Sequence, residues 1–240
     1  RNFMMALATF KGGIHPPDKK DIAKDRAIKE AKSPQRVVIP LSQHLGAPCK
    51  PIVSIGQEVK KGEVIGEPGG FVSAPVHSSV SGKVIAIAEF PNAMGRMINS
   101  IVIENDGKEE WTSLKDNPDY IKLSPDELKE KVKAAGIVGM GGAAFPTLVK
   151  LSPPREKPID TVILNGAECE PYLTADYRLM IERSAEIVEG LKILMRILGV
   201  NKGFIGIENN KPDAIEKMKA AAKNEPNIEV CGLEVKYPQG

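Results

Sequence analysis

The sequence is poor in aromatic residues, cysteine and histidine, and it has almost no excess charge. Phe, Trp and Tyr make up 5% of 240 residues, too few for a base-stacking surface. The 33 basic side chains are nearly balanced by 31 acidic ones, for a net charge of +2. Binding nucleic acid through its phosphates needs a concentration of Lys and Arg that this balance does not supply, so no nucleic-acid partner is expected. No apolar run approaches the roughly 18 residues of a membrane-spanning helix. Arg1 to Leu7 lacks the apolar stretch and small-residue cleavage site of a signal peptide, which leaves the cytosol as the default location. The three cysteines, Cys49, Cys169 and Cys231, are too far apart for a disulfide framework or a zinc or cluster motif. Buried free thiols are expected instead. His15, His44 and His77 all precede the second half of the chain, and no triad-like Ser/His/Asp set is apparent.

What is present suits a soluble globular protein of one large or two smaller domains, with 42% hydrophobic residues and a mean hydropathy of −0.19. Residues 1–35, including the charged run DKKDIAKDRAIKEAKSP, read as a solvated arm or as a segment wrapping the later domain or a partner. From 36 to 106, short Val/Ile-rich runs separated by Gly and Pro (RVVIPL, KPIVSI, EVIGE, GFVSAPV, GKVIAIAE, INSIVIEN) predict strands with no helical period. The pattern Gly-x-x-Val-x-x-Gly-x-x-Ile, then Ala-Pro, then Gly-x-Val resembles the barrel-sandwich hybrid of biotinyl and lipoyl carriers. Those carriers bear their cofactor on a hairpin lysine. The matching hairpin here, Glu67 to Pro75, contains none, so the fold is implied without the carrier activity. His77, close by, is expected to be a surface or core-edge residue. A polar linker is expected over Asp106–Lys122.

Residues 123–240 predict an α/β domain. Ser124 with Pro125 and Glu127 forms a capping-box signature, and Gly136 is placed to end that helix. IDTVILN, GFIGIE and IEVCGLEVK predict strands. SAEIVEGLKILMRILG predicts an amphipathic helix with Ile187, Leu191, Leu194, Met195 and Leu198 on one face, and KPDAIEKMKAAAKN another helix. This alternation implies a largely parallel sheet covered on both faces, with ligands at the carboxyl ends of its strands.

Two segments carry the chemistry. GIVGMGGAAFPTLVK, Gly136 to Lys150, has few side chains to keep a ligand from its backbone, and successive N–H groups can form an anion-binding nest. It is neither the dinucleotide fingerprint nor a P-loop. ILNGAECEPYLTAD, Ile163 to Asp176, places Asn165, Glu168 and Glu170 directly after a buried strand. The plain alternative is a polar loop opening the next helix, capped by Asp176 or Glu170.

With TFKGGIHPP (Thr9 to Pro17), the barrel segment, GMGGAAFPT and NGAECEPYLTAD in this order, the chain resembles RnfC, a component of the Rnf electron-transport complex. Its second half is similar to the NADH-oxidising, FMN-binding flavoprotein of respiratory complex I. The resemblance implies an α+β multi-domain protein, with a barrel-sandwich hybrid and a Rossmann-like α/β domain. It implies FMN against Gly139, Gly141, Gly142 and Ala143, with Lys150 near it. Asn165 would bond the flavin, Glu168 would line its pocket, and Tyr237 and Gly240 of the terminal YPQG would border it. Phe145 and Glu170 would face NADH. The two loops are expected to form one cradle, in which the flavin carries the chemistry and no side chain need act as nucleophile. The family continues past YPQG with two [4Fe–4S] clusters. The 240 residues are therefore expected to be part of a longer chain, holding no metal themselves. The implied activity is electron transfer between NAD(H), FMN and iron–sulfur clusters in a membrane-bound, ion-translocating NADH:ferredoxin oxidoreductase. Its implied partners are the other Rnf subunits and, indirectly, ferredoxin, and its implied place is peripheral, on the cytoplasmic side of the membrane. The competing expectation is a non-catalytic docking or scaffold module of such a complex.

Overall fold

A computed structural model describes residues 7–114 and 117–240. It divides into two compact units: Ala31–Glu156, and the described part of Arg1–Glu30 together with Lys157–Gly240.

In the first unit, seven short strands follow the Val/Ile-rich runs: β1 (Arg36–Pro40), β2 (Lys50–Pro51), β3 (Glu58–Val59), β4 (Val64–Glu67), β5 (Val76–His77), β6 (Gly82–Pro91) and β7 (Met97–Asn105). They form two antiparallel sheets, β1-β7-β6-β3 and β2-β4-β5. Side chains alternate along each strand, so one set turns inward. Leu41, Ile65, Val84, Ile101 and Ile103 are almost fully buried between the sheets. The β4–β5 hairpin, the cofactor-bearing tip in carriers, is pinned here. His44 Nε2 accepts the Ala74 N–H at 3.1 Å, and Ser73 Oγ donates to Ala47 O at 2.8 Å.

The expected linker includes residues 115 and 116, which lie outside the described residues. Its earlier part packs on the barrel: Lys61 N donates to Glu110 O, Thr112 N donates to Lys61 O, and the Lys61 ammonium sits over the Trp111 ring. Helix α1 (Pro125–Ala134) starts as the sequence indicates. Ser124 Oγ accepts the Glu127 N–H, Glu127 Oε2 accepts the Ser124 N–H at 2.7 Å, and Gly136 follows with φ 64°. His77 Nε2 donates to Ala134 O at 3.0 Å, so this histidine ties the barrel to the end of α1. Helix α2 (Thr147–Lys150) is a single turn.

In the second unit, β8 (Val162–Gly166), α3 (Ala175–Glu182), α4 (Ser184–Leu198), β9 (Gly203–Glu208), α5 (Pro212–Ala221) and β10 (Ile228–Leu233) alternate. The sheet is parallel with order β10-β9-β8. Register pairs Leu164, Ile205 and Val230 in one row. These residues pack with Tyr177, Val188, Leu191, Met195 and Met218 of the three helices in one core. The expected cover on both faces is not what forms. The helices share one side, and Ile163, pointing the other way, is 68% exposed. Of the expected face of α4, Leu191 and Met195 are buried and Ile187 and Leu198 pack against the same core, joined by Val188, while Leu194 is only half-buried. Ala8 pairs with Leu233 beyond the edge strand, and Ile14 pairs with Tyr237. The solvated-arm expectation is corrected in part: Lys20, inside the charged run, is 6% exposed. Among the described residues, no helix is long and apolar enough to cross a membrane.

Candidate functional site

The glycine-rich segment is a closed loop. Thr147 N donates to Ile137 O at 3.0 Å and Gly139 N to Phe145 O at 2.8 Å, so Gly139 and Phe145 form its neck. Gly141, Gly142 and Ala143 at its tip are exposed. Gly142 has φ 96° and Ala144 φ 46°, left-handed conformations that curl the chain. A Cβ placed on Gly141 or Gly142 would meet no atom within 4 Å. At Gly139 it would lie 2.7 Å from Lys150 Nζ. The missing side chain at 139 therefore admits the ammonium of Lys150 over the loop, and those at 141 and 142 leave open space against bare backbone. The backbone at the tip is therefore accessible, and Gly139 lies beside the Lys150 ammonium.

The second loop leaves the carboxyl end of β8. Asn165 Oδ1 accepts the Ala167 N–H at 3.1 Å, a local turn that leaves its Nδ2 donor available. Nδ2 lies 3.4 Å from where a Cβ of Gly240 would be, and Gly240 N donates to Cys169 Sγ at 3.3 Å. Asn165, Cys169 and Gly240 are thus neighbours. Tyr237 is half-buried and held through its backbone by Ile14, at 2.8 and 2.9 Å. Glu170 presents an exposed carboxylate.

Glu168 is placed differently from the expected pocket-lining acid. Its side chain is 3% exposed, and Oε1 accepts the Asp176 N–H at 2.7 Å. The cap of α3 is therefore Glu168, neither Asp176 nor Glu170. Only its backbone is left to offer a ligand.

Beneath this loop lies a buried charge cluster that the sequence reading missed. Lys20 Nζ donates to the carbonyls of Glu168, Glu170 and Leu173, and sits 3.9 Å from Glu168 Oε2. Lys211 Nζ donates to Ala167 O at 2.8 Å and to Glu208 Oε2 at 3.1 Å. Glu208 is 1% exposed. Burial, and then the nearby Lys211, lowers the pKa of Lys20; burial raises that of Glu168. Two cations and two anions in one buried site offset each other's desolvation. Glu208 ends an apolar strand, a signal available in the sequence. Lys20 and Lys211 sit in polar runs indistinguishable from surface. The cysteines are free, with Cys49 and Cys169 buried and Cys231 half-buried.

The glycine loop and the Asn165 loop belong to different compact units. The first unit is thus an antiparallel barrel sandwich that also carries the glycine loop, and the second is a parallel α/β unit that carries the acidic loop after β8. Residues 8–108 match the family described as the RnfC barrel sandwich hybrid domain, and residues 132–240 match the Nuo51 FMN-binding domain. Over nearly its whole length the chain is similar to C components of ion-translocating oxidoreductase complexes. It is 52% identical over 233 residues to the C component of the Na(+)-translocating ferredoxin:NAD(+) oxidoreductase complex of Acetobacterium woodii, covering 97% of this chain and 53% of that protein. It is 50% identical over 235 residues to the proton-translocating counterpart of Clostridium ljungdahlii, covering 98% and 51%. The chain thus spans about half the length of these curated relatives. A crystal structure of an NAD+-reducing [NiFe]-hydrogenase is similar over 47% of this chain and 21% of that one, at 23% identity and a TM-score of 0.42.

Proposed function

We propose that this chain supplies FMN- and NAD(H)-binding residues to an electron-transfer subunit of a membrane-bound, ion-translocating ferredoxin:NAD oxidoreductase complex. The observation that carries the reading is the glycine loop, closed at Gly139 and Phe145 and open beside Gly141 and Gly142, within a region that matches an FMN-binding family. Gly139, Gly141, Gly142 and Ala143 offer backbone to the flavin, and Lys150 adds a positive charge beside them. Asn165 donates through Nδ2, Gly240 and Tyr237 border it, and Glu168 contributes backbone alone. Phe145 and Glu170 serve the nicotinamide substrate. FMN, when bound, supplies exchange between two-electron and one-electron transfer. The residues bind and orient it, and none is required as a nucleophile.

The α/β unit is read as Rossmann-like from its parallel β8-β9-β10 order. The two [4Fe–4S] clusters belong outside these residues. The partners are the other subunits, including membrane-embedded ones, with ferredoxin served indirectly, and the location is peripheral on the cytoplasmic side. Relatives named for sodium and for protons are almost equally similar to this chain, so the reading commits to no ion.

The test is FMN retention by the full-length protein, followed by quenching of flavin fluorescence. Gly141→Val adds atoms only to open space, so the fold is kept and FMN is lost. Asn165→Ala is expected to weaken FMN binding about tenfold, the worth of one good hydrogen bond. Wild-type flavin content in both variants refutes the assignment. A full-length protein that binds no FMN leaves the docking-module reading in its place.

A further inference from the structure

Two buried ammonium groups hold the backbone of the loop after β8. Lys211 Nζ takes the carbonyl of Ala167 at 2.8 Å, and Lys20 Nζ takes those of Glu168, Glu170 and Leu173 at 2.8, 3.0 and 2.6 Å. Three acceptors use all three N–H bonds of the Lys20 ammonium. In a trans peptide the C=O and N–H point in opposite directions. Drawing the carbonyls of Ala167 and Glu168 toward the lysines therefore turns the N–H groups of Glu168 and Cys169 to the other side of the loop. Neither donates to another backbone group among the described residues.

The same loop contains two non-glycine residues in the left-handed region, Glu168 (φ 51°) and Tyr172 (φ 68°). Such conformations persist where the surroundings hold them. Both are held by the segment that carries Lys20: Glu168 through its carbonyl, and Tyr172 through its N–H, which donates to Asp18 O at 2.7 Å.

We propose that Lys20 is a positioning residue for the flavin site, fixing the loop from Asn165 to Leu173 so that the Asn165 amide and the Glu168 and Cys169 N–H groups are presented to FMN. The role rests on the FMN reading above. It gives the charged N-terminal run a task in the α/β unit, 148 residues from the loop it holds.

The test uses full-length protein carrying Lys20→Met or Lys20→Arg, with Lys24→Met at an exposed neighbour as control. Hydrogen exchange over residues 165–174 reads the loop without flavin, and fluorescence quenching reads FMN affinity. Lys20→Met is expected to speed exchange in this loop and to weaken FMN binding, each about tenfold, while exchange in β6 and β7 is unchanged. Lys20→Arg keeps the charge and should bring both effects back to within about threefold, a rescue that loss of packing alone would not give. Lys24→Met should change neither. If Lys20→Met does not fold, Lys20→Gln keeps two donors without the charge and should give about threefold effects. Wild-type exchange in the Met or Gln variant overturns the proposal. Faster exchange with wild-type FMN affinity also overturns it, while the FMN reading stands. A wild-type protein that binds no FMN removes that reading and the positioning role with it, even if exchange in the variant shows the loop released.

Discussion

Tyr177 and Asp213 share a hydrogen bond of 2.6 Å between α3 and the start of α5. The bond to the Asp213 carboxylate, with burial, pushes the phenol up from 10.0 to about 12. A folded-state pKa above the unfolded one means that this stabilisation is complete below pH 10.0 and is lost as pH rises through about 12. Tyr177→Phe should cost about 2 kcal/mol in chemical denaturation at neutral pH. It should also remove a phase near pH 12 from an alkaline absorbance titration. At His44 the expectation is different in kind: His44→Ala leaves the buried Ala74 N–H without its acceptor and should cost about 1–3 kcal/mol in the same measurement. Single residues also mark where sequence reading stopped. The placement of Asn165 and Glu170, exposed at and just after the end of β8, was legible from the apolar run that precedes them. Lys20 was not, because the burial of an ammonium depends on carbonyls far along the chain. Glu168 was legible as an important acid, while its inward direction follows from the turn at φ 51°.

Secondary elements were more readable than single charges. The start of α1 was legible to the residue because the capping box is local, and Ser124→Ala should cost about 1 kcal/mol by thermal denaturation. The barrel strands were legible from their runs, but KPIVSI pairs over only Lys50–Pro51 and GFVSAPV is mostly loop. Pairing there depends on partner strands that periodicity does not reveal. The α4 stripe was legible except at Leu194, and it takes in Val188 as well because the helix packs on α3 and α5 in addition to the sheet. Gly82, at the start of β6, shows how closely two strands approach: an added Cβ would lie 1.9 Å from Glu104 O of β7. Gly82→Ala should therefore destabilise the barrel by about 3 kcal/mol, measured as a fall in the denaturant midpoint.

At the scale of the whole molecule, two cores with separate residue sets predict two unfolding transitions. In calorimetry, Gly82→Ala should lower one and Tyr177→Phe the other. A single transition lowered equally by both would show that the units unfold together. The α/β unit is assembled from two stretches of sequence, with the barrel unit inserted between them. During synthesis on the ribosome, the segment bearing Ala8, Ile14 and Lys20 emerges first, yet its partners around Glu168, Leu233 and Tyr237 emerge only after the whole barrel. The inserted unit can close while the earlier segment waits, tethered and unpaired, so the nascent chain matures from its middle outward.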